Sequence, residues 1–244
     1  MTYCIGMNLD DGLVLVSDSR TNAGIDKIAR FEKMKVFEQP GERVLVTLSA
    51  GNLSVTQNAL SLLALRSRQD PSSPSFANVT SMQEAARLLG DAIREVHQRD
   101  VEYLREKNID SSASFILGGQ ISGEQPRMFL VYSEGNYIEA LNDTPFFQIG
   151  EIKYGKPVLD RLVSRQTSLE DAVKCAMVSF DATIRSNLSV GAPLDLLVYR
   201  RDSLRVGVKR RLLQDDAWMG AVNEAWAHGL QAAFDNLPAP NLGG

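Results

Sequence analysis

Apolar residues run together in short stretches at both ends and in the middle of the chain, bounded by turn residues. Two such stretches, residues 3–7 and 13–17, flank Asp10-Asp11-Gly12 and predict a β-hairpin. A hairpin returns the end of its second strand to the start of its first. We therefore expect Asp18 to lie beside Thr2. Further strands are predicted at residues 31–37, 43–49, 112–119, 127–132, 137–140, 146–149, 194–199 and 205–209.

Between these strands, apolar residues recur at the three-to-four spacing of an amphipathic helix. Helices are predicted at residues 53–66, 81–107, 150–163, 167–184 and 215–234. Ser81 with Glu84, and Thr167 with Glu170, have the spacing of a capping box. Trp218 and Trp226 fall on one stripe of the last helix, which predicts that both pack in the core.

The order of these elements predicts the layers of the fold. Pairs of helices interrupt antiparallel strands, which favours two stacked sheets with a helix layer on each outer face. The expected class is α+β, a four-layer αββα sandwich. No Gly-, Pro- or Ser-rich linker divides the chain. We therefore expect one domain over residues 1–236 and a flexible tail at 237–244.

Composition excludes several classes of protein. The net charge is −4, with no block of Lys and Arg, so neither nucleic acid nor a membrane surface is an expected partner. Two cysteines make no disulfide framework, and two histidines argue against a metal site and against Ser-His-Asp catalysis. No secretory leader pattern is visible. A reduced, cytoplasmic protein without a metal is expected.

The candidate chemistry begins at Thr2. Removal of Met1 would leave Thr2 with a free α-amine, which titrates at about pH 8 and can act as the base for its own hydroxyl. Lys33 and Lys35 alternate with apolar residues, and an inward-facing lysine needs a charged partner. Solvated lysines on an edge strand remain an equal alternative. Gly51 ends a strand before a helix, where backbone N–H groups can hold an oxyanion, or serves only for its backbone freedom.

Four separate features follow one another along the chain. They are Thr2, the strand end Ser17-Asp18-Ser19-Arg20-Thr21, the lysine, and Ser49-Ala50-Gly51 before a helix. The chain resembles the proteasome-type N-terminal-nucleophile hydrolases over roughly residues 2–210. Within them it is most similar to the bacterial branch called Anbu, the ancestral beta subunit. Two segments are similar to that branch, Ser19-Arg20-Thr21-Asn22-Ala23-Gly24 and Ser186-Asn187-Leu188-Ser189-Val190-Gly191.

The resemblance implies a role for each matching residue. Thr2 is then the nucleophile, Asp18 and Lys33 its carboxylate and lysine, and Gly51 the oxyanion donor. Ser189 is implied to hydrogen bond the terminal amine. Lys35 is the rival of Lys33. Residues lining the substrate cleft are implied to be Arg20, Thr21 and Ala23.

The sequence departs from the family pattern at Ser186, where Asp is usual, and at Val190, where Gly is usual. Glu151 is a candidate replacement near the amine. The resemblance implies a threonine peptidase or amidase that cleaves peptide or amide substrates without a cofactor. It also implies self-association into a large ring-like or open helical homo-oligomer. The alternative is a catalytically weak or inactive scaffold subunit of such an assembly.

Overall fold

The computed structural model describes residues 2–22 and 28–241, and only the backbone of residues 21–22 and 28–30. The strands are β1 (Tyr3–Leu9), β2 (Gly12–Asp18), β3 (Arg20–Asn22), β4 (Ile28–Arg30), β5 (Met34–Gln39), β6 (Arg43–Gly51), β7 (Ala113–Ile121), β8 (Arg127–Val131), β9 (Tyr137–Glu139), β10 (Phe146–Gly150), β11 (Leu194–Arg200) and β12 (Val208–Leu212). The helices are α1 (Leu53–Gln69), α2 (Met82–Glu106), α3 (Ile152–Leu162), α4 (Leu169–Ser186) and α5 (Ala217–Asp235).

Two five-stranded antiparallel sheets form the centre of the molecule. The first has the strand order β10-β1-β2-β11-β12 and the second β5-β6-β7-β8-β9. In the first sheet β1 lies between β10 and β2, with Tyr3 opposite Gly150 and Cys4 opposite Ser17. On the other side of β2, Asp18 pairs with Leu194 of β11. The N-terminus of β1 and the C-terminus of β2 therefore lie at the same end of this sheet.

Three apolar clusters fix the layers. One fills the space between the sheets, and Gly6 lets them approach there, because a Cβ on it would lie 2.8 Å from Cγ2 of Ile116. A second cluster joins the second sheet to α1 and α2, and a third joins the first sheet to α3 and α4. The molecule is the αββα sandwich that the sequence predicts.

The structure differs from the sequence prediction in local detail. Arg20–Asn22 and Ile28–Arg30 form a short antiparallel strand pair that the sequence does not predict. The strand expected to begin at residue 31 begins at Met34, and the last strand lies three residues further on than predicted.

The predicted capping boxes are also only partly formed. Ser81 caps α2 by accepting from the N–H of Glu84, whose carboxylate instead accepts from the N–H of Thr80. The cap of α4 is Ser168, which accepts from the N–H of Asp171.

The prediction that both tryptophans pack in the core is wrong. Met219 is the one buried residue among those described in α5, while Trp218 is exposed and Trp226 is half-buried. Helix α5 lies on the outside of α4, and no described element covers its outer face. The apolar stripe of this helix is therefore largely a surface.

None of the helices described in residues 2–22 and 28–241 is both long and apolar enough to cross a membrane.

Candidate active site

Thr2 lies immediately before β1, half-buried, where β10 passes into α3. Its carbonyl oxygen accepts a hydrogen bond of 2.8 Å from the N–H of Glu151, the residue that precedes α3. Gly150 next to it has φ +86°, and a Cβ there would overlap the Thr2 carbonyl oxygen. The backbone of Thr2 is thus held against a turn that requires glycine.

Asp18 is fully buried beside Thr2, as the predicted hairpin requires. Its Oδ1 accepts hydrogen bonds from the N–H of Tyr3, at 2.9 Å, and from Nζ of Lys33, at 2.7 Å. Burial raises the pKa of the Asp18 carboxyl, and the ammonium of Lys33 acts in the opposite direction. Among the described residues, Oδ2 of Asp18 has no hydrogen-bond partner.

Lys33 is the lysine that reaches this carboxylate. It lies just before β5, its side chain is 5% exposed, and Nζ also donates to the carbonyl oxygen of Arg20 at 2.7 Å. Lys35 is 47% exposed and pairs with Glu32. The geometry therefore separates two lysines that the sequence could not.

The end of β6 runs alongside the same group of residues. The N–H of Ser49 donates to the carbonyl oxygen of Lys33 at 3.1 Å, and Sγ of Cys4 lies 3.7 Å from the carbonyl oxygen of Ser49. Two residues later, Gly51 has φ +100°, and Asn52 caps α1 through its side chain. A Cβ at Gly51 would overlap the carbonyl oxygen of Ser112, so this backbone position needs glycine.

Ser189 belongs to the loop between α4 and β11, which rests on the end of β2. The N–H of Ser189 donates to Oδ1 of Asn187, and Arg20 braces the loop by donating to the carbonyl oxygen of Leu188 at 3.0 Å. The guanidinium of Arg20 also packs on Gly191. The structure thus places Ser189 at the same end of the sheet as Thr2, while the side chain of Arg20 holds the loop.

The fold that carries these residues has close structural relatives. Anbu (ancestral beta-subunit) from Yersinia bercovieri is 48% identical, and the superposition covers 99% of this chain and 100% of that one with a TM-score of 0.92. The chain belongs to the Anbu family. The helical assembly of the Anbu complex from Pseudomonas aeruginosa is 52% identical with a TM-score of 0.93, covering 98% of each chain.

A more distant relative connects this Anbu-family chain to proteasomes. Proteasome subunit beta 2 of Pyrobaculum islandicum is 26% identical over an alignment of 212 residues that covers 84% of this chain and 94% of that protein. No protein-family model matches the chain.

The remaining residues singled out in the sequence occupy varied positions. The side chain of Thr21 and all of Ala23 lie outside the described residues. Ser186 ends α4 and is exposed, whereas Val190 is fully buried in the core beneath α4. The carboxylate of Glu151 lies 3.9 Å from Nζ of Lys153.

One feature of the site was not predicted. Tyr3 is fully buried, and its hydroxyl meets the side chains of Ser179 in α4 and Gln148 in β10. These residues are far apart in the sequence and none is unusual in its local pattern. The one available signal was a bulky side chain with a polar hydroxyl next to Thr2, at the start of a strand that is paired on both sides.

The site thus combines the hydroxyl of Thr2, the buried ammonium of Lys33 and the buried carboxylate of Asp18. The carboxylate is hydrogen bonded to the peptide group that joins Thr2 to Tyr3. A lysine ammonium in this position favours ionisation of a nearby hydroxyl and the neutral form of a nearby amine. No group of three His, Cys, Asp or Glu side chains among the described residues is placed to hold a metal ion.

Proposed function

We propose that this chain is an N-terminal threonine hydrolase that cleaves peptide or other amide bonds, with Thr2 as the nucleophile. The observation that carries the proposal is the buried ion pair between Lys33 and Asp18, joined through the same carboxylate oxygen to the N–H of Tyr3. Removing two charges from water is unfavourable, and such pairs are often placed at functional sites. Membership of the Anbu family, and the similarity to a proteasome subunit, support the same reaction class.

The reaction follows from the residues around Thr2. Its hydroxyl attacks the substrate carbonyl carbon, and the proton passes to the α-amine, which requires that Met1 has been removed. Lys33 stabilises the developing alkoxide, the N–H of Gly51 holds the oxyanion, and Ser189 hydrogen bonds the terminal amine. The amine then gives its proton to the leaving nitrogen, the C–N bond breaks, and an ester on Thr2 remains. Water hydrolyses this ester and restores the hydroxyl.

A groove of about 390 Å³ next to the site supports a peptide as the substrate. Ser49, which contacts Lys33 and Cys4, lies in its wall together with Leu53 and Phe37. Glu32 and Lys35 add a carboxylate and an ammonium to the same wall. We propose that one substrate side chain enters this groove and that Arg20, Thr21 and Ala23 line the cleft beside it.

The direct test is turnover of a mixed set of fluorogenic peptides by protein whose mass shows that Met1 is absent. Thr2→Ala should abolish turnover, because it removes the nucleophile and leaves the amine. Thr2→Ser, which keeps a hydroxyl, should retain measurable turnover. Equal rates in the wild type and Thr2→Ala would contradict the proposal.

Self-association is the second part of the proposal. The solved Pseudomonas aeruginosa relative is described as a helical assembly. In this chain Trp218, Leu230 and Phe234 leave an exposed apolar stripe on α5, which resembles a surface that a second protein covers. We propose that this stripe contributes to a ring-like or open helical homo-oligomer.

The stripe also favours a second candidate function, a catalytically weak or inactive scaffold subunit. The exposed position of Ser186 supports it, since this residue stands where the family pattern has Asp. In that case the oligomer forms, while Thr2→Ala changes no measurable rate on any peptide. The turnover test therefore separates the two functions.

A further inference from the structure

Tyr3 connects the N-terminal site to the outer helix layer. Its side chain is fully buried, and its hydroxyl lies 2.7 Å from Oγ of Ser179 in the middle of α4. Oγ of Ser179 donates at 3.0 Å to the carbonyl oxygen of Gly155 in α3, and Gln148 of β10 donates to the Tyr3 hydroxyl. One phenol hydroxyl therefore joins β1 to α3, α4 and β10.

The backbone of the same residue lies in the candidate active site. The N–H of Tyr3 donates to Oδ1 of Asp18, the oxygen that also accepts from Lys33. The peptide group between Thr2 and Tyr3 is therefore held at both ends, because the Thr2 carbonyl oxygen accepts from the N–H of Glu151. A shift of the Tyr3 side chain would move this peptide group, and with it the hydroxyl and amine of Thr2.

The atoms around the Tyr3 hydroxyl are tightly packed. A Cβ at Gly155 would overlap both the Tyr3 hydroxyl and Oγ of Ser179. The ring of Tyr3 packs against Phe180, with the ring centroids 4.7 Å apart. Alanine is otherwise a better helix former than glycine, so a glycine inside α3 is explained by this contact rather than by the helix.

We propose that Tyr3 is a positioning residue, whose buried hydroxyl fixes Thr2 in its reactive orientation by anchoring β1 to Ser179 and Gly155 of the outer helix layer. The inference rests on the function proposed above. Because misplacement of a reacting group by about 1 Å can lower a rate by about 10²-fold, the loss of this anchor should lower the rate of attack more than substrate binding.

The chain contains a matched control. Tyr199 is also fully buried, and its hydroxyl donates to Oε1 of Gln120 at 2.5 Å. It lies at the other end of the first sheet, since it pairs with Leu13 near the β1–β2 turn. Tyr199→Phe removes a comparable buried hydrogen bond without touching the site.

The experiment measures kcat and KM for a fluorogenic peptide that the wild-type protein cleaves. It also measures the rate constant at which a peptide epoxyketone covalently labels Thr2. Tyr3→Phe and Ser179→Ala should each lower kcat and the labelling rate constant by about 10-fold or more, with KM unchanged. The double variant should lose little more than either single variant, because both remove the same contact. Gly155→Ala should have at least as large an effect, since it displaces the hydroxyl.

Tyr199→Phe should leave kcat and the labelling rate constant at the wild-type values, even where its melting temperature falls as much as that of Tyr3→Phe. If Tyr3→Phe and Tyr199→Phe both keep wild-type kcat, or if both lose it in proportion to stability, Tyr3 has no positioning role and the inference is wrong.

The two failures are distinguishable. A wild-type protein without Met1 that forms no adduct and turns over no peptide would overturn the proposed function, and this inference with it. A wild-type protein that labels on Thr2, with a Tyr3→Phe variant that labels equally fast, would overturn the inference alone.

Discussion

The candidate active site around Thr2 and the C-terminal helix α5 depart in opposite ways from the usual pattern of buried apolar and exposed charged side chains. At the site, Asp18 and Lys33 carry charge into the interior, and their charged atoms bond to one another and to backbone groups. On α5, Trp218 and Phe234 leave apolar rings exposed. Buried charge and exposed apolar surface are the informative observations in a folded protein, because both are unfavourable without a function or a partner.

In the proposals made above, chemistry and assembly occupy separate parts of this chain. The charges are held by contacts within one chain, whereas we propose that a second molecule covers the apolar stripe. Changes in one region should therefore leave the other intact. Substitutions at Lys33 and at Phe234 each change one region and so test this separation.

The largest effect is expected at Lys33. Lys33→Met removes the ammonium but keeps the length of the side chain, so turnover should fall by at least about 10²-fold. Asp18 is then left buried without its partner, which should also lower the free energy of unfolding by roughly 3–5 kcal/mol. Steady-state kinetics and urea unfolding measure the two losses.

Lys35→Met is the matched control, because Lys35 is 47% exposed and forms a surface pair with Glu32. Surface pairs of this kind contribute about 0–1 kcal/mol. Turnover by Lys35→Met should remain within a few-fold of the wild type. Loss of turnover in Lys35→Met but not in Lys33→Met would show that Lys35 is the catalytic lysine and would contradict the assignment of Lys33.

An intermediate effect is expected on α5. Phe234 is 68% exposed, and Phe234→Glu puts a charge into the stripe that we propose to be covered. Subunit association should weaken by about 10-fold or more, the magnitude typical of an interface hot spot, while the fold of the subunit persists. Analytical ultracentrifugation over a concentration series measures this change.

Tyr103 of α2 provides the control on the opposite helix layer, since it is 72% exposed. Tyr103→Glu should leave the association constant unchanged. Equal weakening by both substitutions would show that the effect is one of net charge, and no change by Phe234→Glu would remove α5 from the interface.

The last expected effect is confined to alkaline solution. Burial raises the pKa of Tyr3 from 10.0 to about 12. The unfolded chain therefore loses the Tyr3 proton at lower pH than the folded chain does, and stability falls as the pH rises from about 10 to about 12. The loss is about 3 kcal/mol at most over these two pH units.

Tyr3→Phe removes this contribution, whereas other buried groups titrate alike in both proteins. The wild type should lose more unfolding free energy than Tyr3→Phe between pH 9 and pH 11.5, measured by urea unfolding at one protein concentration. The same pH dependence in both proteins would show that the Tyr3 hydroxyl is accessible to water.

Much of the fold was predictable because local patterns determine it. The turn at Asp10-Asp11-Gly12 sets a hairpin register that brings Asp18 to the first residues of β1, and the structure confirms this pairing. The helix order was likewise clear from apolar spacing. The two-sheet arrangement followed from the order of the elements.

The remainder depended on contacts that no local pattern contains. Period-two alternation puts Lys33 and Lys35 on one face, but residues 31–33 are not part of β5, so Lys33 turns to Asp18 by itself. The spacing of apolar residues shows that a helix has an apolar face, but it does not show whether another layer of the protein packs on that face. For this reason the packing of Trp218 was predicted wrongly.

The central claim is that Thr2, with its free α-amine, is the nucleophile of a functional active site. Intact mass spectrometry of the protein with a peptide epoxyketone tests this claim most directly. That reagent needs both the hydroxyl and the free amine of an N-terminal threonine. The account predicts a mass without Met1 and a single adduct, which is absent in Thr2→Ala and strongly reduced in Lys33→Met. Protein without Met1 that forms no adduct, or an adduct that persists in Thr2→Ala, would contradict it.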